Sequence, residues 1–322
     1  MKAVVAHDYG PPEANAIAEI PVPRPGPGQI QVRIAASSIN PADVRVSSDE
    51  SRHDLPLDFP HVPGNDFAGT VSEVGPGVTR FRVGEPVFGQ AVPRALKAMT
   101  GATRPSLTTG ALAEYAVFEA DTPLITRRPN DLDVETAAAL PTVGLTARAL
   151  MATARVRPRE SVLVVGATGG VGTTVVPLLA AAAAQLTATA TPADAELVRG
   201  LGAASVIGYG AAGYPSGVDV AVNLVLPGDK LTDLASAVRP GGRLITITFP
   251  VTRPEWLGRE DIDLHFVLDL DGRFGGMREV AEDAVRGALA TTIGRRYRFD
   301  EAPQAIVDFA RRHTTGKLVV RM

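Results

Sequence analysis

The sequence predicts an α/β fold: a β-rich part over the first 125 residues, then a doubly wound parallel sheet. Three observations predict it. The early segments alternate apolar and polar residues and stop at Gly and Pro, as half-buried strands do. After Pro158, short apolar strands alternate with helical stretches, the pattern of a parallel sheet covered on both faces. The junction at 162–172, VLVVGATGGVG, is rich in glycine where a strand meets a helix. With 322 residues, 45% of them hydrophobic and 21% charged, the chain suits about two domains. It can bury a core without disulfides or a structural metal.

In chain order, MKAVVAHDYG has too short an apolar run for a signal peptide or an anchor. Residues 21–28 (PVPRPGPG) form a stiff surface connection, since four prolines forbid a regular helix. Strands follow at 30–35 (IQVRIA), 67–74 (FAGTVSEV) and 83–89 (VGEPVFG). Asp133 is placed to cap a helix over VETAAALP, and a second helical run follows Gly144. Beyond Pro158 strands are expected at 161–165, 186–190, 205–207, 218–223 and 243–248, with helices near 171–184, 193–201 and 229–238. The tail reads as helices at 277–290 and 303–313 and a terminal strand at 317–321.

Composition removes several function classes. A net charge of −3 gives no footing for nucleic acid or a charged membrane surface. The longest apolar stretch, 175–184, holds Pro177 and is too short to span a bilayer. Cysteine is absent, which excludes disulfides, thiolate zinc sites, Fe–S ligation and a cysteine nucleophile. That suits a cytoplasmic protein.

The chemistry is concentrated at 162–172. An apolar strand runs into a glycine turn, an Ala-rich helix follows, and the second strand begins on schedule. This is the context a dinucleotide-binding turn requires; a structural turn also favours glycine, so the βαβ setting carries the reading. The candidate cofactor contacts here are Gly166, Thr168, Gly169, Gly170 and Val171. Gly169 lets the backbone approach a pyrophosphate, Gly172 allows close helix–strand packing, and N–H groups near Gly170 and Val171 face phosphate oxygens. The second strand ends at Ala190-Thr191 with no carboxylate to repel a 2′-phosphate, and Thr189 and Thr191 are candidate donors. No Arg or Lys occurs between 187 and 197, and Asp194 is near. NADPH is expected ahead of NADH.

Segments in a fixed order carry a wider likeness: SSINPADVR (37–45), PGNDFAGTVSEVGPGVTRFRVGEPVFG (63–89), GALAEYAVF (110–118), AAALPTVGLTARALM (137–151), SVLVVGATGGVG (161–172), LGAASVIGY (201–209), VRPGGRLITI (238–247), DLHFVLD (263–269) and TGKLVVRM (315–322). With these the chain resembles the medium-chain dehydrogenase/reductase superfamily, in its zinc-independent quinone oxidoreductase and enoyl reductase branch. The resemblance implies a GroES-like β-rich catalytic domain from residues 1–125 and 266–322, with a Rossmann nucleotide domain, 126–265, inserted. It also implies an active site in the cleft and a homodimer paired through the last strand of the nucleotide sheets, here 243–248.

The resemblance implies residue roles as well. Asn40 lies where the zinc-free branch has an Asn near the nicotinamide and the substrate carbonyl; its amide can polarise that carbonyl. Asn40-Pro41 also reads as a turn opener, and Asp43 as a helix cap. Thr146 stands where relatives contact the cofactor, and Tyr209 matches a Tyr beside the adenosine 2′-phosphate. Phe249, Phe266 and Lys317 complete the implied cofactor set. The zinc branch has Cys at Asn40 and Gly-His-Glu at Gly64-Asn65-Asp66, and the five histidines are scattered, so no metal is expected. Two departures stand out: Asp194 where NADPH users often carry Lys, and Ser51 where enoyl reductases often carry a Tyr proton donor. His53 beside it is the candidate donor, with water as the alternative. Residues 90–110 hold Arg94, Lys97 and Arg104 with no acid, either a solvated loop with a short helix or a segment shaping a site for a bulky or anionic substrate.

These readings converge on an NADPH-dependent reductase of quinones or α,β-unsaturated carbonyls. A dedicated biosynthetic reductase and a non-catalytic dinucleotide-binding sensor or structural protein stay open beside it.

Overall fold

In Gln29–Ser38 (β3) the apolar residues Ile30, Val32, Ile34 and Ala36 are buried while Arg33 and Ala35 are exposed, so the alternation builds a strand with one face on a core. The computed structural model describes residues 1–91 and 110–322. These divide into two compact units: Met1–Leu145 with Leu270–Met322, and Thr146–Asp269. The expected boundary at 125 falls earlier than the observed one. Residues 126–145 stay with the first unit because the helix Val134–Ala139 packs its alanines on β3 and on Asp66–Val74 (β4). Asp133 caps that helix, accepting the N–H groups of Glu135 and Thr136 at 3.0 Å each. A single helix, Pro141–Ala154, replaces the break expected around Gly144.

In the first unit, Lys2–Val5 (β1) pairs antiparallel with Ala16–Glu19 (β2). The larger sheet also contains Pro86–Gln90 (β5), Tyr115–Glu119 (β6) and Ile125–Arg127 (β7). Among the described residues its order is β14-β15-β3-β4-β5-β7, with β6 on β3; β14 is Ile293–Arg298 and β15 is Lys317–Arg321. The core on one side gathers Ile30, Val32, Phe67, Val71, Phe118 and Ile125, with Phe67 and Phe118 stacked at 4.0 Å. A second cluster joins Ile39, Leu112, Leu318 and Val320 to Ile306 of the helix Ala302–Arg311.

The second unit holds Ser161–Val165 (β8), Gln185–Thr189 (β9), Ser205–Ile207 (β10), Val218–Asn223 (β11), Val238–Thr246 (β12) and Asp263–Phe266 (β13). All neighbouring pairs are parallel, in the order β10-β9-β8-β11-β12-β13. Numbered within the unit this is 3-2-1-4-5-6, so the connections reverse direction between β8 and β11. The helices Gly170–Ala181, Ala195–Gly200 and Thr232–Ala237 connect successive strands. One expectation is corrected: 243–248 is not the last strand, because β13 pairs in parallel beyond β12. The sequence hides β13 because Asp263 and His265 interrupt its apolar residues, and the helical element described before it is the single turn Pro254–Leu257.

Candidate functional site

The glycine turn of the second unit is built by two contacts a larger side chain forbids. Gly166, just after β8, has φ +96°, which glycine adopts without steric cost. A Cβ on Gly172 stands 2.3 Å from Gly166 O and 2.5 Å from the Ala167 carbonyl carbon, so only glycine lets the helix start this close to the strand. Gly169 precedes the helix Gly170–Ala181, and a Cβ there meets only Gly166 O, at 3.7 Å. Gly169, Gly170 and Val171 are part-exposed, whereas the residues on either side are buried. The first N–H groups of a helix have no partner within it, and with the helix dipole they favour an anion.

The surrounding residues divide into those that shape the turn and those that face outward. Thr189 is fully buried, and its Oγ1 accepts the Gly166 N–H at 3.0 Å. It therefore anchors the turn to β9, and its hydroxyl is closed off from solvent. Thr191 donates to Asp194 Oδ2 at 2.6 Å, which directs its proton into a local turn and away from a ligand. Thr168 and Tyr209 share a hydrogen bond at 3.1 Å, with Tyr209 36% exposed. Phe249 and Phe266 meet edge to face, centroids 5.3 Å apart. Sequence reasoning missed Asn223 at the end of β11. It is fully buried, accepts the N–H groups of Val225 (3.3 Å) and Leu226 (2.9 Å), and donates to Thr246 and Thr248 hydroxyls at 2.9 Å. A buried Asn closing an apolar parallel strand is the signal that marks it.

In the first unit the sheet register gathers a second cluster. β15 runs beside the end of β3 (Val319↔Ser38), β4 beside its other edge (Ser38↔Asp66), and β5 beside β4 (Asp66↔Gln90). Lys317, Asn40, Asp66 and Gln90 thereby meet at one end of the sheet. Lys317 is 3% exposed and donates to Asn40 Oδ1 (2.6 Å), Ile39 O (3.1 Å) and Asp66 Oδ2 (3.2 Å). Its three donors are all spent within the protein, so it is not arranged as the cofactor contact the resemblance implies. Asp66, fully buried, accepts from Ser38 on Oδ2 and from the Thr142 N–H (3.1 Å) and hydroxyl (2.6 Å) on Oδ1. Gln90 donates to Thr142 Oγ1 at 2.9 Å. Thr146 is part-buried one helical turn beyond Thr142.

Asn40 opens the short helix Pro41–Arg45 and is 3% exposed. Its N–H goes to Asp43 Oδ2 at 2.8 Å and its Nδ2 to Ser38 O at 3.2 Å. Asp43 also accepts the Gly64 N–H at 2.8 Å. Burial pushes its carboxyl up to about 7, against the pull of those two N–H donors. Asp43 thus caps the helix, as expected. His53 is exposed on the turn after Asp49–Ser51 and is not gathered into this cluster. That turn is tied down by Tyr9, whose hydroxyl donates to Leu55 O and accepts the Leu57 N–H. Arg52 lies over the Tyr9 ring and pairs with Asp8 and Asp49. Arg94, Lys97, Arg104 and the helix expected near 95–99 lie outside the described residues.

A zinc ion does not fit this cluster. Asn40 and Asn65 offer amides, and the Asp66 carboxylate already faces an ammonium and three other donors. Among the described residues no group of three or more His, Asp or Glu is placed to hold a metal. No helix of the described residues is long and apolar enough to cross a membrane.

A parallel sheet in 3-2-1-4-5-6 order, with a glycine turn on its first strand and a separate β-rich unit, defines the doubly wound dinucleotide-fold class. A family model for the alcohol dehydrogenase GroES-like domain matches residues 26–128, and one for zinc-binding dehydrogenases matches 201–320. The chloroplast envelope quinone oxidoreductase homolog of Arabidopsis thaliana is 35% identical over 216 residues, 65% of this chain but 61% of that relative. The chain thus spans less than two thirds of that relative's length. The NADPH-dependent alkenal/one oxidoreductase of Arabidopsis thaliana chloroplasts is 28% identical over 329 residues, 99% of this chain and 79% of the relative. A mycobacterial protein solved with NADPH superposes with a TM-score of 0.84 at 25% identity, over 100% of each chain. The chain thus carries domains that match the alcohol dehydrogenase GroES-like and zinc-binding dehydrogenase families, and it is similar to quinone oxidoreductases of the medium-chain dehydrogenase/reductase superfamily.

Proposed function

We propose that the protein is an NADPH-dependent reductase of quinones or α,β-unsaturated carbonyl compounds, working without zinc. The observation that carries this is the glycine turn at 166–172, where open backbone at Gly169 meets a helix N-terminus at the point of strand-order reversal. The alkenal and quinone relatives and the NADPH-bound neighbour support the substrate class and the cofactor.

The N–H groups of Gly170 and Val171 would hold the pyrophosphate, with Gly169, whose own N–H goes to Gly166 O at 3.3 Å, leaving room for it, and the Thr168–Tyr209 pair would flank the adenosine end. Phe249 and Phe266 are the apolar walls. When bound, the nicotinamide supplies a hydride to the β-carbon of the acceptor or to the quinone. Asn40 Nδ2 donates to the substrate oxygen as negative charge develops there. Solvent supplies the proton that completes the two-electron reduction; His53, exposed on its turn, has no geometric claim ahead of water. The same reading takes the protein as a cytoplasmic homodimer joined through β13, which ends the sheet of the second unit.

NADPH oxidation against a panel of quinones and enones is the test. Turnover is expected on conjugated acceptors, with NADPH binding tighter than NADH by fluorescence titration. Tight cofactor binding with no turnover on any acceptor points instead to a non-catalytic sensor. Asn40→Ala is expected to lower kcat by about 10²-fold with cofactor affinity retained; equal losses in both defeat the role given to Asn40.

A further inference from the structure

We propose that Lys317 is a positioning residue that locks the Asn40 amide in one orientation, so that the site offers an N–H donor to a substrate oxygen. The proposal rests on the reductase reading of Asn40 and goes beyond it by naming what sets that donor.

An ammonium only donates and a backbone carbonyl only accepts. Lys317 Nζ lies 2.6 Å from Asn40 Oδ1, and Ser38 O lies 3.2 Å from Asn40 Nδ2. Turning the amide over sets an NH2 group against the ammonium and an oxygen against the carbonyl, two repulsive contacts for two attractive ones. The second Nδ2 hydrogen therefore has a fixed direction. Lys317 is itself held, with Ile39 O and Asp66 Oδ2 on its remaining donors, and Asp66 is held through its other oxygen by Thr142. The chain of contacts is buried from Lys317 to Asp66, so it is not averaged by solvent. A charge-assisted bond at Oδ1 also draws electron density through the amide and strengthens its N–H as a donor. An acceptor oxygen, carbonyl or quinone, is the partner such a group selects.

The test compares wild type with Lys317→Met and with the charge-neutral pair Lys317→Gln and Asp66→Asn, which keeps hydrogen-bonding groups and avoids an unpaired buried charge. Two readouts are taken. The first is the side-chain amide NMR signal of Asn40, independent of turnover. Wild type is expected to show two resolved, shifted N–H resonances that return to the ordinary range in both variants; unchanged resonances overturn the proposal while leaving the reductase reading intact. The second is kinetic. The paired variant is expected to lose kcat by about 10-fold or more with NADPH affinity within about twofold. In an Asn40→Ala background it is expected to lose nothing further. Parallel loss of NADPH affinity, or a full additional loss in the Asn40→Ala background, overturns it. Shifted resonances with no effect of Asn40→Ala on turnover leave the amide orientation intact and defeat the role given to Asn40 in the reductase reading instead.

Discussion

Asp43 and His61 make opposite demands on pH at the residue scale. Burial raises the Asp43 carboxyl from 3.8 to about 7 and lowers the His61 imidazole from 6.5 to about 4. For Asp43 the folded state holds the proton more tightly, so its contribution is present below 3.8 and lost as pH rises through about 7. For His61 the folded state favours the neutral ring, so its contribution is present above 6.5 and lost as pH falls through about 4. Melting temperature measured from pH 4 to 8 should separate them. Asp43→Asn is expected to remove part of the decline toward neutral pH, and His61→Gln part of the decline toward acid. A constant offset between variant and wild type across the range sinks either assignment. At this scale the sequence pointed to the glycines through a local motif and to Asn40 through the resemblance. It did not show Asp66, Thr142 or Gln90, whose meeting with Lys317 depends on strands 251 residues apart in the chain.

The element proposed to hold the cofactor is the β8 turn and the helix Gly170–Ala181. Two alanine substitutions there separate folding from binding. Gly172→Ala sets a methyl 2.3 Å from backbone oxygen that cannot retreat, at a cost of about 1–3 kcal/mol, so melting temperature and NADPH affinity should fall together. Gly169→Ala meets nothing closer than 3.7 Å, so the melting temperature should hold while the methyl intrudes on the phosphate position and NADPH affinity drops. Thermal unfolding and fluorescence titration on the two variants check both; equal behaviour argues against a phosphate at Gly169. Strands β8, β10 and β11 were legible at their observed bounds, since buried parallel strands are short apolar runs between turn residues. The strand β13 was not, because an edge strand needs less apolar residue and Asp263 and His265 break its run.

For the whole molecule, the unit built from both ends of the chain depends on β15, which lies between β14 and β3. Deleting residues 317–322 removes an interior strand and leaves Asp66 without its buried cation, so the variant is expected to lose cooperative thermal unfolding of the first unit and NADPH-dependent turnover. A full-length melting temperature in the truncated chain counts against an interior role for this strand. The sequence by itself determined the α/β class, the strand–turn–helix junction that offers a phosphate site, and the absence of thiolate chemistry, because these follow from local periodicity, glycine placement and composition. Tertiary structure alone decided that Thr189 anchors the turn, that β13 ends the sheet, and that Lys317 faces Asn40. Each of these depends on which strand lies beside which, and register between distant strands is set by how side chains fill a shared core, a property no local pattern contains.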